Sequence, residues 1–199
     1  GLVQFEYTAA EKHGVDIRYG AQAIGLIRSN GEVRGVRVFA NGSEEEISAK
    51  AVVLAAGGFE ANREWRARYL GPGWDMAKVR GTRYNTGDGI RMAIDIGAQP
   101  YGQWSGCHSV SWERYAPDFG ELDRPITASR NGYPFSIMVN AEGKRFVDEG
   151  ADFRNYTYAK YGRVVLEQPG GYAWHVFDSQ VDHLLHDEYR SKGTTKVQA

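Results

Sequence analysis

The run Ala51-Val-Val-Leu-Ala-Ala-Gly-Gly-Phe59 constrains this chain more than any other stretch. A short apolar run closed by two glycines reads as a buried parallel strand rather than a helix. Gly57 and Gly58 have no Cβ, so the chain can turn sharply there and a second backbone or a ligand can come close. In open α/β sheets the crevice beyond such strand ends is where nucleotides are held. Taken alone, the nine residues fit a core strand and tight turn just as well, so the flanking sequence decides between the two.

On the N-terminal side, residues 2–13 are rich in helix formers, with Leu2, Phe5, Ala9 and Ala10 near one face and Gly14 as the stop. Val15–Tyr19 alternates as a short strand. The dipeptides Asn30-Gly31 and Asn41-Gly42 then separate three strand-like runs, Ala23–Ser29, Glu32–Ala40 and Glu44–Ser48. Asn-Gly between such runs is a strong hairpin signal, so a three-stranded antiparallel meander is expected to lead into the strand at 51–55. The chain opens at Gly1 in mid-helix with no strand before it, which reads as an internal piece of a longer protein.

On the C-terminal side, Asn62 is placed to cap a helix through Leu70, with Trp65, Tyr69 and Leu70 inward, and Gly71-Pro-Gly73 breaks it. A polar, glycine-punctuated loop, Arg83–Gly89, precedes a helix at Ile90–Ile96. Within that loop Thr86-Gly-Asp-Gly89 offers backbone amides, a hydroxyl and a carboxylate. Those groups can hold a phosphate, a ribose or a polar ring edge, or simply make an Asp cap.

From about Gln103 the texture becomes irregular and aromatic, so a domain boundary is expected there, giving residues 1–103 and 104–199. The second part reads as a strand at Phe135–Asn140, a turn at Ala141–Lys144 and a returning strand at Arg145–Val147. A loop or helix at 151–161 follows, then a strand at Ala173–Phe177. An amphipathic helix from Asp178 has Val181, Leu184 and Leu185 inside. The connection Gly162–Gly171 and the tail Ser191–Ala199 carry no signal, the tail reading as a solvated end.

Composition excludes several functions. A net charge of −1 gives no reason to expect nucleic acid or an anionic membrane as partner. No run approaches the roughly 18–20 apolar residues of a membrane span. A single cysteine, Cys107, excludes an internal disulfide and suits a reducing, cytoplasmic compartment; it reads as a small apolar residue. His183 and His186, with Asp182 and Asp187, fit the polar face of a helix better than a metal site, so no metal is expected.

Three stretches carry a resemblance to a known family: Ala55-Ala-Gly-Gly-Phe59, Thr86-Gly-Asp-Gly-Ile90 and Val139-Asn-Ala-Glu-Gly-Lys-Arg-Phe-Val-Asp-Glu149. In this order they resemble the fumarate reductase/succinate dehydrogenase flavoprotein superfamily. The stretch Asp148–Tyr161 is most similar to the tricarballylate dehydrogenase branch. The resemblance implies an α/β fold of α+β character. Its first part would belong to a glutathione-reductase-type FAD-binding domain with an inserted antiparallel meander, and its second to an α+β domain that caps the flavin. The G-x-G-x-x-G fingerprint of such domains does not occur in these residues, so FAD is expected in the full-length protein rather than in this piece alone.

The resemblance also implies roles. Ala55, Ala56, Gly57, Gly58, Thr86, Gly87, Asp88 and Glu149 would contact the cofactor, with anchoring of a hairpin as the alternative for Glu149. His108 and Arg130 would hold a substrate carboxylate, and Arg154 would move a proton with Glu149 or Asp152 as the adjoining base. Arg130 and Arg154 stand a residue or two out of the family's register. The implied reaction is dehydrogenation of a C–C bond in a small polycarboxylic acid, tricarballylate to cis-aconitate, with an electron acceptor reoxidising the flavin. A fumarate reductase or 3-ketosteroid dehydrogenase is the alternative within the family, and a non-catalytic binding domain the alternative outside it. An uncovered sheet edge would favour a dimer.

Overall fold

A computed structural model describes residues 1–120 and 128–187; the tail reading at Ser191–Ala199 lies outside them. Helices and strands are mixed in an α+β arrangement. The chain forms two compact units. One is Gly1–Ala56 with Asp88–Pro100; the other is Gly57–Gly87 with the residues from Tyr101 on.

The first unit contains α1 (Leu2–Lys12) and the meander of β1 (Gln22–Ser29), β2 (Glu32–Ala40) and β3 (Ser43–Ser48), in the order β1-β2-β3. Both hairpins are set by their turns. Asn30 and Gly31 have φ of 51° and 85°, and Asn41 and Gly42 have 53° and 82°. These left-handed pairs make the tight turn whose twist matches paired strands. The helix α3 (Asp88–Asp95) packs on β1 and buries Met92.

Two expectations fail in this unit. Val15–Tyr19 is not a strand, and the run at 51–55 is neither laddered nor buried: Val53 is 89% exposed. A parallel strand exists only through neighbours that accept and donate its backbone bonds, and no described strand lies beside either segment. The apolar side chains of α1 are likewise exposed.

In the second unit Asn62 caps α2 (Arg63–Trp65), its side chain accepting from the Trp65 amide at 3.1 Å. The expected helix continues to Leu70, but as a π-helical turn over Arg66–Leu70. Trp65 and Tyr69 pack with Phe59 and Trp104 into one aromatic cluster, ring centroids 4.8–6.5 Å apart.

Further along, β4 (Ser136–Asn140) pairs antiparallel with β5 (Ala173–Phe177). The expected return strand at Arg145–Val147 makes only a single bridge, Val139 to Arg145. Asn140 explains this: its side-chain oxygen accepts from the amides of Glu142 and Lys144, closing a tight turn after which the chain leaves the ladder. Of the expected loop or helix at 151–161, residues from Arg154 on belong to α4 (Arg154–Leu166). The core holds Tyr133, Met138 and Tyr161. After β5, Asp178 caps a 3-10 turn at Ser179–Leu184, which buries Leu185 and leaves Leu184 outside. A 3-10 turn advances three residues per turn, so the inward positions drift from those of an α-helix.

Candidate functional site

The two glycine bends fall where the chain passes from one unit to the other, after Ala56 and after Gly87. Within the second unit they adjoin. Ala61 donates to the Asn85 carbonyl at 2.9 Å, and the Asn62 amide group donates to the Thr86 carbonyl at 3.0 Å. Gly57 has φ of 72° and Gly87 of 86°. A Cβ on Gly57 would stand 3.0 Å from the Asn85 side chain, and one on Gly87 would overlap the Trp65 ring at 2.7 Å. Neither bend could be built this closely with a larger residue.

Within the first unit the same two segments meet again. A Cβ on Gly89 would stand 3.1 Å from the Cβ of Ala56, so residues 54–56 run directly along the start of α3. Asp88 lies in the first turn of that helix, ion-paired to Arg91 at 3.6 Å. Ala55, Ala56 and Gly57 are exposed, while Thr86 and Asp88 are half-buried. Within the second unit, the two adjoining glycine bends leave the close backbone approach that the flat ring of a nucleotide cofactor needs.

Of the remaining candidates, Arg154 and His108 hang on α4. Arg154 is its first residue. His108 packs edge-to-face on Tyr158 at 5.0 Å, and the next residue, Ser109, is tied to the helix twice: its amide donates to the Ala159 carbonyl at 2.8 Å and its carbonyl accepts from Gly162 at 3.1 Å. Gly162 permits this contact, since a Cβ there would stand 2.5 Å from the Val110 carbonyl oxygen.

Arg130 follows the isolated bridge between Trp112 and Ser129 and is tied to the segment after Ser109 rather than to α4 itself. Its amide donates to Ser111 at 2.8 Å, and its guanidinium donates twice to Glu113, at 2.6 and 3.0 Å. Three residues on, the hydroxyl of Tyr133 lies 3.2 Å from the Arg154 carbonyl. Glu149 is tethered by its neighbour: Tyr161 of α4 donates to the Asp148 carbonyl at 2.6 Å.

Glu149 is 4% exposed, and both carboxylate oxygens are engaged, one by the Met138 amide and one by Arg145. Burial pushes its pKa up, but the hydrogen bonds from Arg145 and Met138 outweigh this and hold it below the ordinary carboxylate value. The carboxylate therefore anchors the β4 turn.

Three residues with structural leverage went unnoticed in the sequence. Arg66 is 4% exposed and donates to the carbonyls of Glu60, Trp74, Asp75 and Ala77, clamping the stretch after the first bend. Burial lowers its pKa, and the charge of Arg63 adds to the effect. His175 sits opposite Met138 on β5; burial pushes its pKa down to about 4, with Arg130 acting the same way and Glu149 against. The third is Gly162, whose only sequence signal is a glycine inside a helix-forming run. Cys107 is exposed as a residue; burial of its thiol raises its pKa, and the charges of Arg163 and Arg66 act against that rise. Among the described residues no cluster of three metal-ligating side chains occurs.

Residues 1–187 match the FAD binding domain family, and the chain belongs to it, within the fumarate reductase/succinate dehydrogenase flavoproteins; FAD is the cofactor this membership brings.

The chain is 31% identical over 176 residues to a probable fumarate reductase of Shewanella frigidimarina, covering 87% of this chain and 28% of that protein. It is 30% identical to a 3-oxosteroid 1-dehydrogenase of Mycobacterium tuberculosis over 85% of this chain and 31% of that one. Among solved structures it is similar to the open conformation of a flavocytochrome c3 fumarate reductase, with TM-score 0.67, 30% identity, and coverage of 90% of this chain and 30% of that one. The chain thus spans about three-tenths of the length of these relatives. No helix among the described residues is long and apolar enough to cross a membrane.

Proposed function

We propose that this chain is part of an FAD-dependent oxidoreductase that dehydrogenates a C–C bond of a small polycarboxylic acid, tricarballylate to cis-aconitate being the first candidate. The observation that supports the reading is that Arg154 opens α4 and His108 packs on Tyr158 of the same helix, within a family whose model is an FAD binding domain. Residues 1–103 would then form part of a glutathione-reductase-type FAD domain and residues from 104 a cap over the flavin. The single cysteine fits a cytoplasmic enzyme.

When bound, FAD supplies the hydride chemistry. The bend Ala55–Gly58 and the loop Thr86–Asp88 would hold it through backbone amides and the Asp88 carboxylate. His108 and Arg130 would fix the carboxylates of the substrate, Arg130 kept in orientation by Glu113. Arg154 would exchange the proton at the carbon next to the one that exchanges hydride. A guanidinium hardly deprotonates unaided, so it needs an adjoining base, for which Asp152 stands two residues before it. Glu149 serves by fixing the turn.

A second reading comes from the relative named as a 3-oxosteroid 1-dehydrogenase. There a ketone would activate the C–H bond and a tyrosine, of which α4 has three, would replace the arginine as acid. The full-length protein loaded with FAD should be assayed with tricarballylate and succinate against an oxidised dye, with fumarate against a reduced dye, and with 4-androstene-3,17-dione. Turnover of a carboxylic acid is expected; turnover of the steroid alone would overturn the reading.

A further inference from the structure

Arg154 begins α4 with no side-chain cap at the preceding Phe153. Its backbone is nevertheless held by two of the most buried polar groups in the molecule. Tyr133 and Thr157 are each 1% exposed. The Thr157 hydroxyl donates to the Arg154 carbonyl at 3.3 Å, and the Tyr133 hydroxyl bonds to the Thr157 oxygen. With one proton each, this gives a chain running from Tyr133 to Thr157 to the Arg154 carbonyl.

The Tyr133 ring is fixed as well, edge-to-face on Tyr161 at 4.8 Å. Arg154, Thr157 and Tyr161 recur at helical spacing and so share a face of α4. Burial raises the phenol's pKa, and the charge of Arg154 is near enough to pull it the other way. Tyr133 also lies three residues after Arg130, so one hydroxyl chain joins the segment bearing Arg130 to the residue Arg154.

Resting on the carboxylic-acid reading above, we propose that Tyr133 and Thr157 are positioning residues: their hydroxyl chain sets where the Arg154 guanidinium stands, and hence the rate of proton exchange. Thr157 does this from the helix and Tyr133 from the 3-10 turn Tyr133–Phe135 before β4, so losing either lets the first turn of α4 shift. Misplacement by about 1 Å at a reacting centre can cost about 10²-fold in rate.

The test uses full-length, FAD-loaded protein with tricarballylate and an oxidised dye, and with fumarate and a reduced dye. Thr157→Val and Tyr133→Phe are expected to lower kcat at least about tenfold with KM unchanged within about twofold. Thr157→Ser, which keeps the hydroxyl, should restore kcat to within about threefold. A merely structural role would lower flavin content and melting temperature without this rescue, and that result overturns the proposal. So does Thr157→Val with unchanged kcat where Arg154→Met abolishes turnover. If Arg154→Met itself turns over normally, the underlying reading has failed instead. Should Thr157→Val not retain FAD, Tyr133→Phe, which removes one oxygen and no carbon, decides.

Discussion

The two units use their sequence in opposite ways. The first is specified locally: two Asn-Gly turns with left-handed backbones fix the meander, and its apolar stretches at α1 and 51–55 are left exposed. The second is specified by long-range polar contacts: a buried arginine on four carbonyls, a buried carboxylate on a backbone amide, and a hydroxyl chain at the start of α4. Local turn chemistry survives without cover, whereas buried polar groups hold only while every partner is in place. The first unit should tolerate single changes that the second does not.

The sharpest way to break this contrast is Arg66→Met. It removes the guanidinium donor from the carbonyls of Glu60, Asp75 and Ala77, while that of Trp74 keeps the Ala77 amide, and unsatisfied buried groups cost about 1–3 kcal/mol each, partly relieved by water. A loss of about 3 kcal/mol is expected in urea unfolding of the FAD-loaded protein.

Acid should act on the second unit in two steps. His175 has its pKa lowered from 6.5 to about 4 in the fold, so its contribution is complete above pH 6.5 and disappears as pH falls to 4. That shift corresponds to about 3 kcal/mol. Glu149, also lowered, contributes above its ordinary value of 4.5 and loses that contribution as pH falls through its lower folded value. Unfolding measured from pH 7 to 3 should show both windows, and His175→Phe should remove the upper one only.

Gly162→Ala sharpens the comparison at α4. Its methyl would press on the Val110 carbonyl, and overpacking of this kind costs about 1–3 kcal/mol. The expected loss is about 2 kcal/mol with weakened contact between His108 and Tyr158, seen as altered tyrosine near-UV dichroism. The smallest effect belongs to the first unit: Gly31→Val, at φ of 85°, should cost about 1 kcal/mol.

What was legible in the sequence follows the same division. The meander, the Asn62 cap, α3, β4 and β5 were readable because each is announced by residues adjacent in the chain. The strands expected at 15–19 and 51–55 were misread because an apolar run states that a segment wants cover, not that cover is at hand. The partner of β4 was placed at 145–147 rather than 173–177 because the Asn140 turn looks like a hairpin from sequence alone. Arg66 and His175 were invisible, since an arginine or histidine is buried only by the fold of the segments around it, and Gly162 showed only as a glycine in a helix-forming run. The motifs at 55–59, 86–90 and 139–149 did carry the family, and in the first two close approach leaves no room for a side chain at Gly57, Gly87 or Gly89.

The central proposal is that His108, Arg130 and Arg154 receive the carboxylates of an acid substrate. Titrating the FAD-loaded full-length protein with tricarballylate while following the flavin absorbance tests it most directly. The account predicts a saturable spectral change that weakens at least about tenfold in Arg154→Met and His108→Ala, the loss of one charge-assisted contact. A spectrum unmoved by tricarballylate, succinate and fumarate but shifted by 4-androstene-3,17-dione would contradict it.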